Sequence, residues 1–317
     1  MAVAVGELNG RPVAVSAGSS DDDPAVRVWD LATHQPIGEP ILAHPHGVTA
    51  LAVGRVDGRS VVVTGGYDSL LRVWGLATHE PIGEPIRLSD DVERVEALAI
   101  GEVDGRAVVV AAGGWGNARD GALVRVWDLA THKPSGEPLV GHTGMVRDIA
   151  LGEVDGRSVA VTGSIDHTTR MWDMTTRKPI GDPMISGTAA WDVALGRVDG
   201  RPVAVSGTDE KMWVWDLTTD QRIGVPIPTG HTGAVGAVAF AEVYGRPVAL
   251  TGGSDDEDRG GTLQAWDLNT RKPLGGRMGH TGFVLTIALG EVDGRLAAVT
   301  GDSYGDVRVW DLGAHPQ

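Results

Sequence analysis

Over residues 146–172 the apolar positions do not keep the 3.6-residue period of a helix; they fall in short runs separated by turn residues. The run from Val146 to Val154 alternates apolar with small or polar residues, and Asp155-Gly156 then offers the positive φ angles of a two-residue hairpin turn. A second run, 158–162, is apolar and β-branched, a Gly/Asp-containing turn leads into a third at 169–172, and Pro179 and Pro183 bracket a fourth. A proline is tolerated there only if that strand is an edge. Each unit therefore predicts four short antiparallel strands. The hairpin dipeptide recurs as Asn9-Gly10, Asp57-Gly58, Asp104-Gly105, Asp199-Gly200, Tyr244-Gly245 and Asp293-Gly294, and only Tyr244 departs from good turn chemistry.

The third run of each unit ends on a tryptophan: Trp29, Trp74, Trp127, Trp172, Trp215, Trp266 and Trp310, each followed by Asp except Trp74, which precedes Gly75. Their spacings are 45, 53, 45, 43, 51 and 44 residues, the period of one four-stranded propeller blade. Length here counts blades, so residues 1–317 read as one domain.

These motifs resemble the WD-repeat (WD40) β-propeller family, of a bacterial type, over essentially the whole chain. The resemblance implies an all-β fold, a seven-bladed propeller of four-stranded antiparallel blades. It also implies a hydrogen-bonded tetrad of His, Ser or Thr, Asp and Trp in a blade. Blade 2 supplies His44, Thr64, Asp68 and Trp74, and blade 4 supplies His142, Thr162, Asp166 and Trp172. Blades 6 and 7 keep His231, Thr251, Trp266 and His280, Thr300, Trp310 but are expected to lack the acid, and blades 1, 3 and 5 lack the histidine. Identical placement in several blades marks these residues as structural rather than catalytic. Propellers of this sort are often sensor domains of larger signalling or defence proteins, a context the resemblance suggests for this chain.

The copies also serve as a comparison set. The turns joining strands one and two and strands three and four barely vary, and both lie on one rim, which reads as passive. Variation concentrates on the other rim. Insertions lengthen blade 3 around Trp115 and Arg119 and blade 6 over 254–259. At the start of the innermost strand two slots vary: Gly47, Arg94, Met145, Ala189, Ala234, Phe283, and two positions later Thr49, Glu96, Arg147, Trp191, Gly236, Leu285. Large, diverse side chains beside a central opening suit a binding surface, with packing between blades as the competing reading. The candidates for partner contact are Arg94, Glu96, Trp115, Arg119, Met145, Arg147, Trp191, Phe283 and Leu285. Trp213, in a slot that is Arg in five copies, reads as packing.

Composition narrows the partner. With 27 Lys plus Arg against 42 Asp plus Glu the net charge is −15, which repels nucleic acid and anionic membranes. The acidic runs at 21–23, at 90–93 and at 255–258 lie on the variable rim; they read as a solubilising surface, with a basic partner or a weak Ca²⁺ site as the alternatives. There is no cysteine, hence neither disulfide nor thiolate chemistry, and no cofactor motif or metal site is expected. The first residues lack the basic start and apolar core of a signal peptide, so a cytoplasmic protein is expected. These features favour a non-enzymatic, monomeric platform for protein or peptide recognition around the central channel. The alternatives are an enzyme using His46, Glu96, Arg147 and Asp148 in the mouth, or a propeller that binds a small ligand or sugar. Residues 1–8 read as an innermost strand and 312–316 as the beginning of a turn, so blade 7 is expected to have three strands, with its third strand as an edge that closes by face packing or borrows a strand from a partner.

Overall fold

The computed structural model describes residues 1–20, 23–114, 122–255 and 260–314. Seven antiparallel sheets follow one another along the chain, each with its first strand innermost. Blade 4 is representative, with strands Val146–Val154, Arg157–Ser164, Thr168–Asp173 and Pro179–Ile185 hydrogen-bonded in sequence order. The second strand of each blade is the most buried, because it lies between two partner strands and under both neighbouring sheets.

The hairpin between the first two strands has one backbone shape throughout: Asp155 has φ 49° and Tyr244 φ 51°, each followed by a glycine at positive φ. Tyr244 thus keeps the turn despite its poor local chemistry, and its ring lies against Gly313 of blade 7, where a Cβ would not fit.

The blades interlock by a repeated contact. A glycine in the inner strand of one blade faces an apolar side chain from the next: Gly54 takes Ile100, Gly101 takes Leu151, Gly152 takes Leu195 and Gly196 takes Phe240, leaving no space for a Cβ. In blade 6 the slot holds Ala241. At the junction of blade 7 with blade 1, Gly290 takes Val5 in the same way, and Gly301 takes Val3. Val3, Ala14, Leu31 and Val299 form a buried cluster across that seam.

Among the described residues blade 7 has three strands, Val284–Val292, Arg295–Asp302 and Val307–Ala314. Residues 2–8 pair with 11–17 and not outside Trp310. The third strand runs further than expected: instead of turning after Asp311, Gly313 and Ala314 stay paired with Leu296 and Arg295 across a bulge, and Asp311 binds Arg295 at 2.7 Å.

In blades 1, 3, 4, 5 and 6 the Asp after Trp makes the turn. Asp30 Oδ1 accepts the N–H groups of Ala32 and Thr33, and Asp173 Oδ1 those of Thr175 and Thr176. In blades 2 to 6 the turn ends on a residue at positive φ that reaches the preceding blade. His79 Nδ1–H donates to the Glu39 carbonyl at 2.7 Å, His132 Nδ1–H to Glu84 at 2.9 Å, and Arg271 Nη1–H to Ile223 at 2.7 Å. A carbonyl only accepts, so the proton is on Nδ1 in both histidines. Such staples tie blades 1 to 6 in series along the near-invariant rim.

The tetrads of blades 2 and 4 form as expected. In blade 4, Trp172 Nε1–H donates to Thr162 Oγ1 at 2.8 Å, Thr162 lies 2.7 Å from His142 Nε2, and His142 Nδ1 lies 2.8 Å from Asp166. Burial would raise the Asp166 carboxyl, but bonds from His142 and Thr168 outweigh it and hold it well below the usual carboxylate range; His44 and Arg72 do the same for Asp68. Blades 6 and 7 correct the expectation that they lack the acid. In blade 7 Asp302 lies 3.3 Å from His280 Nδ1, and it comes from two residues after Thr300 rather than four. In blade 6 Asp255, four residues after Thr251, stands 3.6 Å from His231 Nδ1.

Two predictions follow from this packing. Gly152→Val and Gly196→Val should each cost about 1–3 kcal/mol of unfolding free energy in denaturant titrations, and Phe240→Ala should recover part of the Gly196→Val loss by vacating the same space. Asp166→Asn should cost about 2 kcal/mol at neutral pH. Because the folded Asp166 value lies below the unfolded one, its contribution is complete above about pH 4 and is lost on further acidification, so parent and variant should converge there.

Candidate functional site

The inner strands enclose a central cavity of about 600 Å³. The second variable slot is aimed into it by a recurrent irregularity. Pairing skips one residue between Val48 and Ala50, Val95 and Ala97, Val146 and Asp148, Val235 and Ala237, and Val284 and Thr286. The skipped residues are Thr49, Glu96, Arg147, Gly236 and Leu285. A bulge leaves its extra residue unpaired and redirects its side chain, and all five line the cavity. Trp191, just ahead of the blade 5 strand Asp192–Val198, lines it as well.

Five of the expected contact residues form one cluster across blades 3 to 5. Glu96, its side chain 5% exposed, receives Arg94 Nε at 2.6 Å and Arg94 Nη2 at 3.1 Å, and also Arg147 Nη1. The Arg147 guanidinium lies 5.4 Å from the Trp191 ring centre. Trp191 Nε1–H donates to Asp209 at 2.7 Å, which fixes the indole. Met145 joins through its sulfur, 3.8 Å from Arg147 Nη1. Leu285 lies across the cavity and is 40% exposed; Phe283 is exposed on the rim but does not line the cavity. Trp115 and Arg119 lie outside the described residues.

Two lining residues, Tyr67 and Asp192, escaped sequence reasoning, and Asp148 entered it only as a catalytic candidate. Tyr67, in the turn after the second strand of blade 2, carries the Arg94 guanidinium 5.7 Å from its ring centre. Asp148 and Asp192 occupy the position after the variable slot, which is Ala50, Ala97 and Ala237 in blades 2, 3 and 6. Two successive acids in a slot of alanines were the available signal. Asp148 accepts the Val193 N–H of blade 5 at 3.0 Å, and Asp192 the Val238 N–H of blade 6. Each accepts from a backbone donor on the next inner strand. Burial, reinforced by the neighbouring Asp148 charge, pushes the Asp192 carboxyl well above the ordinary range.

The residues considered for catalysis do not converge: Glu96, Arg147 and Asp148 line the cavity, whereas His46 does not. Of the acidic runs, Asp21, Asp22 and 256–258 lie outside the described residues, while Asp23 pairs with Arg27 at 2.8 Å and Asp255 with Arg277 at 3.0 Å. Among the described residues no three acidic or histidine side chains gather as a metal site. Trp213 packs as expected, stacked on Trp215 with ring centres 5.6 Å apart and capped by Arg222.

The family model for the WD domain, G-beta repeat, matches residues 36–75 and 133–173. These segments run from the outer strand of one blade through the third strand of the next, and they contain the tetrads of blades 2 and 4. The curated proteins compared with the chain yield no match.

Scaffold and mouth should separate in a stability measurement. Trp172→Ala removes a fully buried indole and strands its tetrad, and should cost about 3–5 kcal/mol; Trp191→Ala should cost under about 1 kcal/mol, both read from chemical unfolding.

Proposed function

Because the chain is a WD40-repeat β-propeller, a fold that generally serves as a non-enzymatic scaffold for protein interaction, we propose that it recognises a protein or peptide at the mouth of its central channel. One observation carries this reading. The slot that differs most between copies is bulged out of the sheet in five blades and delivered into a single cavity, where Arg94, Glu96, Arg147 and Trp191 meet. The glycine sockets and the rim staples already pack the blades, which favours a recognition role for these side chains. Tryptophan and arginine held rigidly and partly exposed have the character of interface anchors. Within a larger signalling or defence protein such a mouth would act as the sensor.

The test is affinity capture from the native cell lysate with the parent protein and with the Arg147→Ala, Trp191→Ala double variant. A partner held by the parent and lost at least tenfold by the variant, at unchanged unfolding midpoint, is the expected result, since two anchors of this kind contribute more than about 1.4 kcal/mol. Equal capture by both would contradict the reading.

A further inference from the structure

The mouth holds two guanidinium groups against one committed carboxylate. Arg94 grips Glu96 through two nitrogens, a forked pairing that already neutralises the acid. Arg147 reaches the same carboxylate through one nitrogen, has Met145 sulfur at 3.8 Å as its other neighbour, and keeps Nε buried with no acceptor. It is the less satisfied cation of the two, with 32% of its side chain exposed. The Trp191 face and the Asp209 bond that orients the indole hold its plane in position. The other acids of the cavity, Asp148 and Asp192, are turned to backbone donors of blades 5 and 6. Across the opening, Ala234, Gly236 and Leu285 present a small, uncharged wall.

We propose that Arg147 captures a carboxylate of the partner peptide, with an adjacent apolar side chain of that peptide lying against Leu285. On capture the guanidinium exchanges its single bond to Glu96, which Arg94 retains, for a fork of two bonds to the incoming acid. The exchange leaves every charged group paired and adds one charge-assisted hydrogen bond. The carboxylate comes from an acidic side chain or from a chain terminus, and both offer the same two oxygens. This inference rests on the mouth being the recognition site.

The experiment titrates the whole protein with four acetylated tripeptides: Gly-Gly-Leu with a free carboxylate, its carboxamide, Gly-Glu-Leu carboxamide and Gly-Lys-Leu carboxamide. The readout is the Trp191 indole N–H resonance, assigned by its loss in Trp191→Phe. At least one acid-bearing peptide should shift it with an affinity about tenfold or more above the neutral and lysine peptides. Arg147→Met should abolish that preference, and added salt should weaken it. Whichever acid peptide is tighter identifies the terminus or the side chain as the source. Binding of the lysine or neutral peptide as tightly as the acids overturns the carboxylate site while leaving the mouth as the recognition surface. Failure of every acid peptide to move Trp191 at millimolar concentration also overturns it, and the lysate comparison then judges the mouth by itself.

Discussion

Seven twisted sheets can share one axis only if their inner strands approach closely, and here that approach depends on a missing side chain. Glycine in the inner strand of one blade receives a branched or aromatic side chain from the next, from Gly54 with Ile100 round to Gly290 with Val5. An apolar group seated on a backbone surface is removed from water and makes dense contact at no cost in strain, whereas a Cβ in the socket would force the blades apart. The seam between blades 7 and 1 uses the same contact as the others, except that between blades 6 and 7, where Ala241 occupies the slot. A three-stranded final blade therefore leaves the inner wall of the ring intact, because the sockets lie on first strands and not on outer ones.

With inner wall and outer rim each held by a repeated device, the start of the inner strand is released from packing. In five blades a bulge expels one residue from the ladder, and what that residue is matters little to the ring. This explains how Thr49, Glu96, Arg147, Gly236 and Leu285, with nothing chemical in common, occupy equivalent places. It also explains why the cluster at the mouth is polar and interlinked: side chains expelled together from adjacent blades satisfy one another's charges. The acids Asp148 and Asp192 extend the same logic one residue further along, where an exposed backbone N–H would otherwise face the channel.

Most of the fold was legible in the sequence because its determinants are local and repeated. The Trp period, the hairpin dipeptides and the edge prolines each act within a few residues, and together they set strand number and blade number. Where a determinant spans two blades, legibility fell. The sockets appear in the sequence as an unremarked glycine before the hairpin, and their meaning requires the neighbour that fills them. Tyr244 looked like a poor turn residue, but its contact with Gly313 accompanies the same backbone shape. In blade 7 the tetrad recruits Asp302 from a different offset, and a fixed template misses it because hydrogen bonding depends on where the carboxylate lies, not on its place in the chain. At the mouth, comparing copies found Arg94, Glu96, Arg147 and Trp191, but the bulge that aims the slot left no mark in the residue pattern. Tyr67 was missed because it reaches the cluster from a turn rather than from the compared strand.

The socket contacts close the ring at blades 7 and 1 as firmly as elsewhere. Native-state hydrogen exchange tests it most directly, by comparing inner-strand amides of residues 2–8 and 284–292 with those of 146–154 and 192–198. If the account is right, all four strands exchange with the same free energy, that of global unfolding. Exchange at the first pair by a local opening more than about 2 kcal/mol easier than at the second would contradict it.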